Sequence, residues 1–170
     1  MTVEYFVKPV TWDSPEAKLI RSIRLRVFVE EQHFPREEEF DLFDPQAYHV
    51  LGYGPDGKAY GTGRLYHDIV QTGAARIGRM AVLQEARGKG CGTAILWALI
   101  EEARRRGYRR VILSAQVSAI SFYARCGFTP YGPHFLDANV PHQDMQLFIA
   151  GESGSQHELS AGDYGRTKDQ

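Results

Sequence analysis

The spacing of hydrophobic and polar positions changes several times along the chain, and each change marks an expected element. Residues 3–10 alternate as in a strand. The tripeptide at 14–16, Ser-Pro-Glu, offers a capping hydroxyl, a proline for the first helical position and an acid for the first turn. Apolar residues then follow at helical spacing and predict a helix to about residue 31: Leu19, Ile20, Ile23 and Val27. The next segment, 34–41, is acidic and interrupted by proline, which predicts a loop or a short second helix.

From residue 48 the pattern predicts a strand-rich region. The expected elements, in order, are strands 48–53, 59–67 and 75–83, a helix at 90–106, a strand at 110–115, a helix at 119–125, and strands 128–131 and 145–149. Gly-Pro-Asp-Gly at 54–57 has the residues of a hairpin turn. A strand, a helix and a second strand in succession form a parallel crossover. The whole order predicts an α/β fold in which helices cover both faces of a mixed sheet.

Composition limits the classes of function. A chain of 170 residues with 43% apolar residues is expected to form one domain at 1–150, followed by a flexible polar tail at 151–170. The 20 basic and 21 acidic residues give a formal net charge of −1, which provides no general attraction for nucleic acid or for an anionic membrane. Two cysteines, no export signal and no long apolar run predict a soluble cytoplasmic protein.

A glycine-rich segment between a predicted strand and a predicted helix is the clearest candidate for ligand binding. Its sequence at 87–92 is Arg-Gly-Lys-Gly-Cys-Gly. Unpaired amides at the start of a helix bind anions together with the helix dipole, and glycine lets a ligand approach the backbone. A diphosphate would fit there, although a plain tight turn would use the same glycines. The segment is neither a Walker loop, because no Ser or Thr follows Lys89, nor a dinucleotide fingerprint, because its glycines are spaced G-x-G-x-G.

This segment resembles the R/Q-x-x-G-x-G/A loop of the GNAT N-acetyltransferase superfamily. A second segment, Ala-Ile-Ser-Phe-Tyr-Ala-Arg-Cys-Gly-Phe at 119–128, is similar to that superfamily's A-x-x-F-Y-x-x-x-G-F segment. Further residues resemble the ElaA/YjcF-like branch: Arg24, Val27 to Val29, Glu31, Gln32, His49, Gly63 to Leu65, Ile77 to Val82, Ser114 to Gln116, Pro141, His142 and Met145. The resemblance covers about residues 5–149 and implies the GNAT acyl-CoA N-acyltransferase fold, with a central mixed sheet.

The resemblance also implies acetyl-CoA as co-substrate and no metal. In this family the two strands that flank the loop part, pantetheine lies between them, and the loop amides contact the diphosphate. The residues expected on the cofactor side are therefore Met80, Ala81, Val82, Arg87, Gly88, Lys89, Gly90, Cys91, Gly92, Thr93, Gln116, Phe122 and Tyr123. Cys91 is not expected to be a nucleophile, because the family uses this position for its backbone amide.

Tyr123 occupies the family's tyrosine position near the sulfur. A phenol with a reference pKa of about 10 can protonate a departing thiolate, so Tyr123 is the expected general acid; the alternative is an aromatic residue that only packs in the core. The base stays open, because the strand at 75–83 contains no carboxylate. His49 is a candidate base, although it could equally be a half-buried histidine bonded to the backbone; the other candidates are Glu31, His67, His142 and a relaying water.

The acceptor side is expected to include Glu31, Gln32 and His142, beside an acidic segment at 37–44 that either attracts an amine or is simply solvated. The predicted function is direct transfer of acetyl from acetyl-CoA to a primary amine of a small molecule or peptide. The alternative is a CoA-binding module without catalysis, which the missing strand carboxylate favours and Tyr123 opposes. The family is compatible with either a monomer or a homodimer.

Overall fold

The computed structural model describes residues 4–150, so the predicted tail at 151–170 lies outside the described residues. The main elements, in chain order, are β1 (Phe6–Val10), α1 (Ala17–Arg24), β2 (Tyr48–Tyr53), β3 (Ala59–His67), β4 (Ala74–Val82), α2 (Cys91–Arg105), β5 (Arg110–Gln116), α3 (Ile120–Arg125), β6 (Thr129–Asp137) and β7 (Val140–Phe148). A π-helical segment, Leu25–Glu31, continues α1. Short 3₁₀ turns occupy Arg36–Glu38, Asp44–Gln46, Gln84–Ala86 and Val117–Ala119.

All seven strands belong to one sheet, in the order β1-β2-β3-β4-β5-β7-β6. The neighbours β4 and β5 run parallel and are connected through α2, whereas the other neighbouring pairs are antiparallel. The prediction of a mixed sheet with one parallel crossover is therefore confirmed. No helix between residues 4 and 150 is both long and apolar enough to cross a bilayer.

Helices cover the two faces of the sheet, as predicted. Successive strand residues point to opposite faces, and the neighbours Val50 and Leu51 separate in this way. Val50 joins a core with Ile95 and Leu99 of α2, whereas Leu51 joins a second core with Ile20 of α1. We call these two sides the α2 face and the α1 face.

Two predicted boundaries differ from the structure. The first helix is regular only over Ala17–Arg24, after which it widens to a π-helix, and the acidic segment that follows forms 3₁₀ turns. The last two strands are longer than predicted and form the hairpin β6–β7. Because β6 is the exposed edge strand, its sequence lacks the alternation that burial of one face would impose, and Gly132 and Pro133 resemble a turn.

A buried cluster of charged side chains fixes the acidic segment against α1 and β3. Arg24 is 0% exposed and donates from Nε to Glu39 Oε2 (2.8 Å) and from Nη1 to Asp44 Oδ1 (2.8 Å). Arg64 donates from Nη1 to Asp44 Oδ1 and to Asp41 Oδ1, each at 2.7 Å. Burial acts to raise the pKa of Asp44, but the hydrogen bonds and charge of Arg24 outweigh it and lower this pKa to about 2. Part of the acidic segment is thus neutralised inside the fold rather than solvated.

Candidate active site

A gap opens in the sheet between β4 and β5. These strands pair only where Ala74–Arg76 lie beside Arg110–Ile112. Beyond that point β4 stays paired with β3 as far as Val82, and β5 stays paired with β7 as far as Gln116. The strands therefore part, and the backbone groups along their facing edges are free for a ligand.

A β-bulge shapes the β4 side of this gap. Thr62 pairs with Ala81 and Arg64 pairs with Gly78, so that Arg79 and Met80 oppose Gly63 alone. The backbone of Arg79 has φ of 50°, in the left-handed region that few side chains adopt. A Cβ added at Gly63 would lie 2.8 Å from Met80 Sδ, so the missing side chain provides the space for Met80. The bulge bends β4 at the position where the two strands have parted.

The glycine-rich loop lies at one end of the gap, between β4 and α2. Gly88 and Gly90 have φ of 75° and 99°, which glycine adopts without steric cost. Among the described residues we find no hydrogen-bond acceptor for the amides of residues 88–93. Because α2 begins at Cys91, these amides lie at the positive end of its dipole. The loop is thus a ready site for an anionic group.

Arg87 holds this loop to the rest of the protein. It donates from Nε to the Val82 carbonyl (2.9 Å) and from its two Nη atoms to the Glu31 carboxylate (2.6 and 2.7 Å). The hydrogen bond from Arg87 lowers the pKa of Glu31. Glu31, expected on the acceptor side, therefore lies beside the loop, where it is paired with a cation.

Two cavities meet at the gap. The first, of about 500 Å³, lies on the α2 face beside the loop, and we call it the loop-side cavity. The second, of about 390 Å³, lies on the α1 face beside β7, and we call it the β7-side cavity. Met80, Ala119 and Tyr123 line both cavities. Molecules bound on opposite faces of the sheet can therefore meet at these three residues.

Most residues predicted on the cofactor side line the loop-side cavity: Met80, Val82, Arg87, Gly88, Gly90, Gly92, Thr93, Phe122 and Tyr123. Gln116 instead lines the β7-side cavity, where its Nε2 donates to Gln32 Oε1 (2.8 Å). Ala81 packs in the core on the α1 face, and Lys89 donates from Nζ to the Glu85 carbonyl (3.1 Å). For Ala81 and Lys89, only the backbone stays a predicted contact.

Cys91 is buried under the sheet. A Cβ at Gly61 would lie 2.9 Å from its Sγ, so the thiol packs directly beneath β3. Burial raises the pKa of Cys91 to about 11, which keeps it in the unreactive thiol form. This placement agrees with a role for the Cys91 amide alone.

Tyr123 is a core aromatic residue at the junction of the two cavities. It is 8% exposed and packs edge-on against Phe122, with ring centroids 4.9 Å apart, and against Phe128. Its hydroxyl has no hydrogen-bond partner among the described residues, and it is not one of their fully enclosed unpartnered polar atoms. Burial raises the pKa of Tyr123, so the phenol keeps its proton at neutral pH. The two predictions for this residue, core packing and proton donation, are compatible with each other.

The structure does not place His49 where a base could reach an acceptor. The imidazole is 1% exposed, donates from Nε2 to the Asp44 carbonyl (2.9 Å) and stacks on Trp12. Burial lowers its pKa. It lies on β2, two strands away from the gap, and lines neither cavity. His49 is therefore a buried histidine bonded to the backbone through Nε2, while its Nδ1 has no partner among the described residues, and this placement corrects its candidacy as the base.

His142 and Gln32, both predicted on the acceptor side, line the β7-side cavity. Sequence reasoning did not single out Arg125 on the loop side or Asp137 on the β7 side, whereas Glu38 on the β7 side belongs to the acidic segment expected beside the acceptor. Arg125 stands inside the second motif, two positions after Tyr123, and could have been found there. Within residues 4–150, we find no group of three or more His, Cys, Asp or Glu side chains arranged to hold a metal ion.

Known proteins are similar to this chain in sequence and in fold. The model of the acetyltransferase (GNAT) family matches residues 17–128. The uncharacterized N-acetyltransferase YjcF of Bacillus subtilis is 36% identical over 124 residues, which cover 72% of this chain and 86% of that protein. An acyl-CoA N-acyltransferase from Pseudomonas aeruginosa superimposes with a TM-score of 0.71 at 27% identity, covering 86% of this chain and 99% of that one. Escherichia coli ElaA superimposes with a TM-score of 0.72 at 23% identity, covering 85% and 99%.

Proposed function

The chain belongs to the GNAT acetyltransferase family, in its ElaA/YjcF-like branch, and from that premise we propose that it transfers acetyl from acetyl-CoA directly to a primary amine. One observation carries this proposal. A gap in the sheet joins a cavity beside an anion-binding loop to a second cavity on the opposite face, with Met80 and Tyr123 lining both.

The loop-side cavity suits the donor. The diphosphate of acetyl-CoA would accept hydrogen bonds from the free amides of residues 88–93. Pantetheine carries amide groups that can pair with the unoccupied edge of β4, in the way that an added strand pairs with a sheet edge. This direction brings the thioester to Met80 and Tyr123, at the opening to the second cavity.

The chemistry needs a nucleophile from the β7 side and a proton donor at the sulfur. The nitrogen of a neutral amine attacks the thioester carbon, a C–N bond forms and the C–S bond breaks. Tyr123 donates its hydroxyl proton to the departing thiolate, which leaves as free CoA. Because its hydroxyl has no hydrogen-bond partner within residues 4–150, Tyr123 is free to donate to a ligand at this point.

The charges of the β7-side cavity favour a cationic acceptor. The arginines in its lining are already paired: Arg64 with Asp41 and Asp44, Arg76 with Asp68, and Arg79 with Glu39 and Asp41. Two exposed carboxylates in the same lining, Glu38 and Asp137, have no ion-pair partner among the described residues. The unpaired charges in the lining of this cavity are therefore negative. Amines are cationic in water at neutral pH, so this lining attracts them.

We expect Glu38→Gln and Asp137→Asn each to raise KM for a cationic amine about threefold, with kcat unchanged. Exposed ion pairs contribute modestly, and salt weakens them, so added salt should reduce the difference from the wild type. Glu37→Gln is the matched control, since Glu37 is exposed and does not line the cavity. Equal effects of all three changes would show that the two carboxylates do not contact the acceptor.

The experiment for the proposed function follows free thiol when the protein is mixed with acetyl-CoA and each of a panel of primary amines, including spermidine, tyramine and glycinamide. We expect thiol release with at least one amine and formation of its N-acetyl product, detected by mass spectrometry. Propionyl-CoA and hexanoyl-CoA, tested in parallel, should react more slowly if acetyl is the preferred group. A melting temperature raised by CoA with no thiol release for any amine would instead favour a CoA-binding module without catalysis.

A further inference from the structure

We propose that His142 is the general base of the transfer reaction, and that its Nε2 atom accepts the proton which the attacking nitrogen loses. The inference rests on the proposed function and assigns the one chemical role that Tyr123 leaves unfilled. It is drawn from the hydrogen bond that fixes the imidazole and from its position in the β7-side cavity.

The tautomer of His142 is set by the backbone. Nδ1 lies 2.7 Å from the Val140 carbonyl oxygen. A carbonyl oxygen only accepts, so Nδ1 must carry a proton and donate it. In the neutral imidazole the other nitrogen, Nε2, is then left with a free lone pair. That atom has no hydrogen-bond partner among the described residues, so it is available to a ligand.

The position of His142 places this lone pair at the β7-side cavity. His142 is 7% exposed and lines the β7-side cavity together with Tyr123. It lies directly across the β5–β7 ladder from Gln116, on the same face of the sheet. Gln116 is held by Gln32, and the imidazole stacks on Phe135 with ring centroids 5.7 Å apart. These contacts hold a free base on the acceptor side of the gap.

The other candidates from the sequence are occupied or distant. Glu31 is paired with Arg87, and His49 is enclosed two strands from the gap. His67 lies at the end of β3 where β4 and β5 are still paired, and its Nδ1 bonds with the Tyr108 hydroxyl. The titratable and charged groups that share the cavity with His142 are Glu38, Glu39, Arg64, Tyr66, Arg76, Arg79, Tyr123 and Asp137.

The proposed step balances in atoms and protons. The bound ammonium first releases one proton to solvent. The neutral amine then attacks the thioester carbon, and as the C–N bond forms Nε2 of His142 takes one further proton from that nitrogen. The C–S bond breaks, and Tyr123 gives its hydroxyl proton to the sulfur. The products are the N-acetyl amine and CoA thiol, and a net proton moves from the imidazolium to the phenolate through solvent. Imidazole is suited to this exchange at neutral pH.

The test compares His142→Asn with the wild type for the amine from the panel of spermidine, tyramine and glycinamide that the wild type acetylates fastest. Asparagine can keep the donor to the Val140 carbonyl, because its Nδ2 is as far along the side chain as Nδ1 of histidine, but it has no base. We expect kcat/KM at pH 7 to fall about 100-fold, while affinity for CoA and the melting temperature change little. In the wild type, kcat/KM should fall as the pH decreases, in part because a protonated His142 cannot act as a base. That part of the fall should be absent in His142→Asn.

Two further variants separate catalysis from structure. His134→Asn makes the same change on the exposed edge strand outside both cavities, and we expect wild-type rates from it. His142→Ala should regain activity when free imidazole is added, in proportion to its neutral form. Wild-type kcat/KM and pH profile in His142→Asn would overturn the assignment while leaving the transferase intact. A wild type that releases no thiol with any amine would remove the proposed function, and the base with it.

Discussion

Replacing Tyr123 by phenylalanine is expected to lower kcat about 10³-fold and to leave the dissociation constant of acetyl-CoA nearly unchanged. General acid catalysis contributes factors of this order, and phenylalanine keeps the ring that packs against Phe122 and Phe128 while removing only the proton donor. Because burial raises the pKa of Tyr123, the hydroxyl stays protonated throughout the neutral range. Loss of Tyr123 should therefore lower the rate at every pH between about 6 and 9.

Steady-state rates test the expected change in kcat, and calorimetric titration with CoA tests whether affinity is unchanged. Tyr5→Phe is the matched control, because it removes a phenol hydroxyl from a residue that lines neither cavity and packs edge-on against Tyr60. A kcat within twofold of the wild type in Tyr123→Phe would show that the thiolate leaves without protonation by this residue. A weakened affinity for CoA with unchanged kcat would assign Tyr123 to binding instead.

Replacing Arg24 by methionine is expected to lower the free energy of unfolding by about 4 kcal/mol at pH 7. Arg24 is fully buried and donates to Glu39 and Asp44, so its loss leaves carboxylates inside the fold with too little positive charge. Arg64 and Arg79 remain nearby and compensate for part of the loss. Urea unfolding followed by circular dichroism measures the difference.

The loss of stability in Arg24→Met should become smaller as the pH falls. In the wild type the folded pKa of Asp44 is about 2, below its reference of about 3.9, so its stabilisation is present above about pH 4 and is lost as pH falls through 2. Without Arg24 the buried carboxylates take up protons more readily. The difference between variant and wild type should therefore be smaller at pH 4.5 than at pH 8.

Arg26→Met, on the π-helical segment that continues α1, provides the comparison. Arg26 forms an exposed pair with Glu85 at 3.6 Å, and such surface pairs contribute little. We expect its stability to stay within about 0.5 kcal/mol of the wild type. An equal loss in both variants would mean that Arg24 acts through helix formation rather than through its buried partners.

The sequence predicted the elements in which burial of one face imposes a regular spacing of apolar residues. The sheet core, α2 and the position of the glycine loop were expected because apolar periodicity and turn residues agree there. The edge strand β6 was predicted too short, at 128–131, because both of its sides are exposed. The π-helix was missed because its apolar spacing resembles that of an ordinary helix over two turns.

The candidate site was predicted best where the ligand would contact backbone. Loop amides need glycines at fixed positions, and such positions are visible in a sequence. Side chains are harder to predict, because their partners come from distant parts of the chain. His49 and His142 both stand on strands near polar residues, but only the fold shows that one is enclosed and that the other reaches a cavity.

The parting of β4 and β5 leaves the facing edges of two central strands without a partner strand beyond Arg76 and Ile112. A sheet normally satisfies such groups with its own chain, and the cost of leaving them in water is small only while water can enter. The pantetheine arm that we propose for this gap would take the place of the missing ladder and exclude that water. The donor itself would then complete the centre of the sheet and add cohesion that the chain alone does not supply.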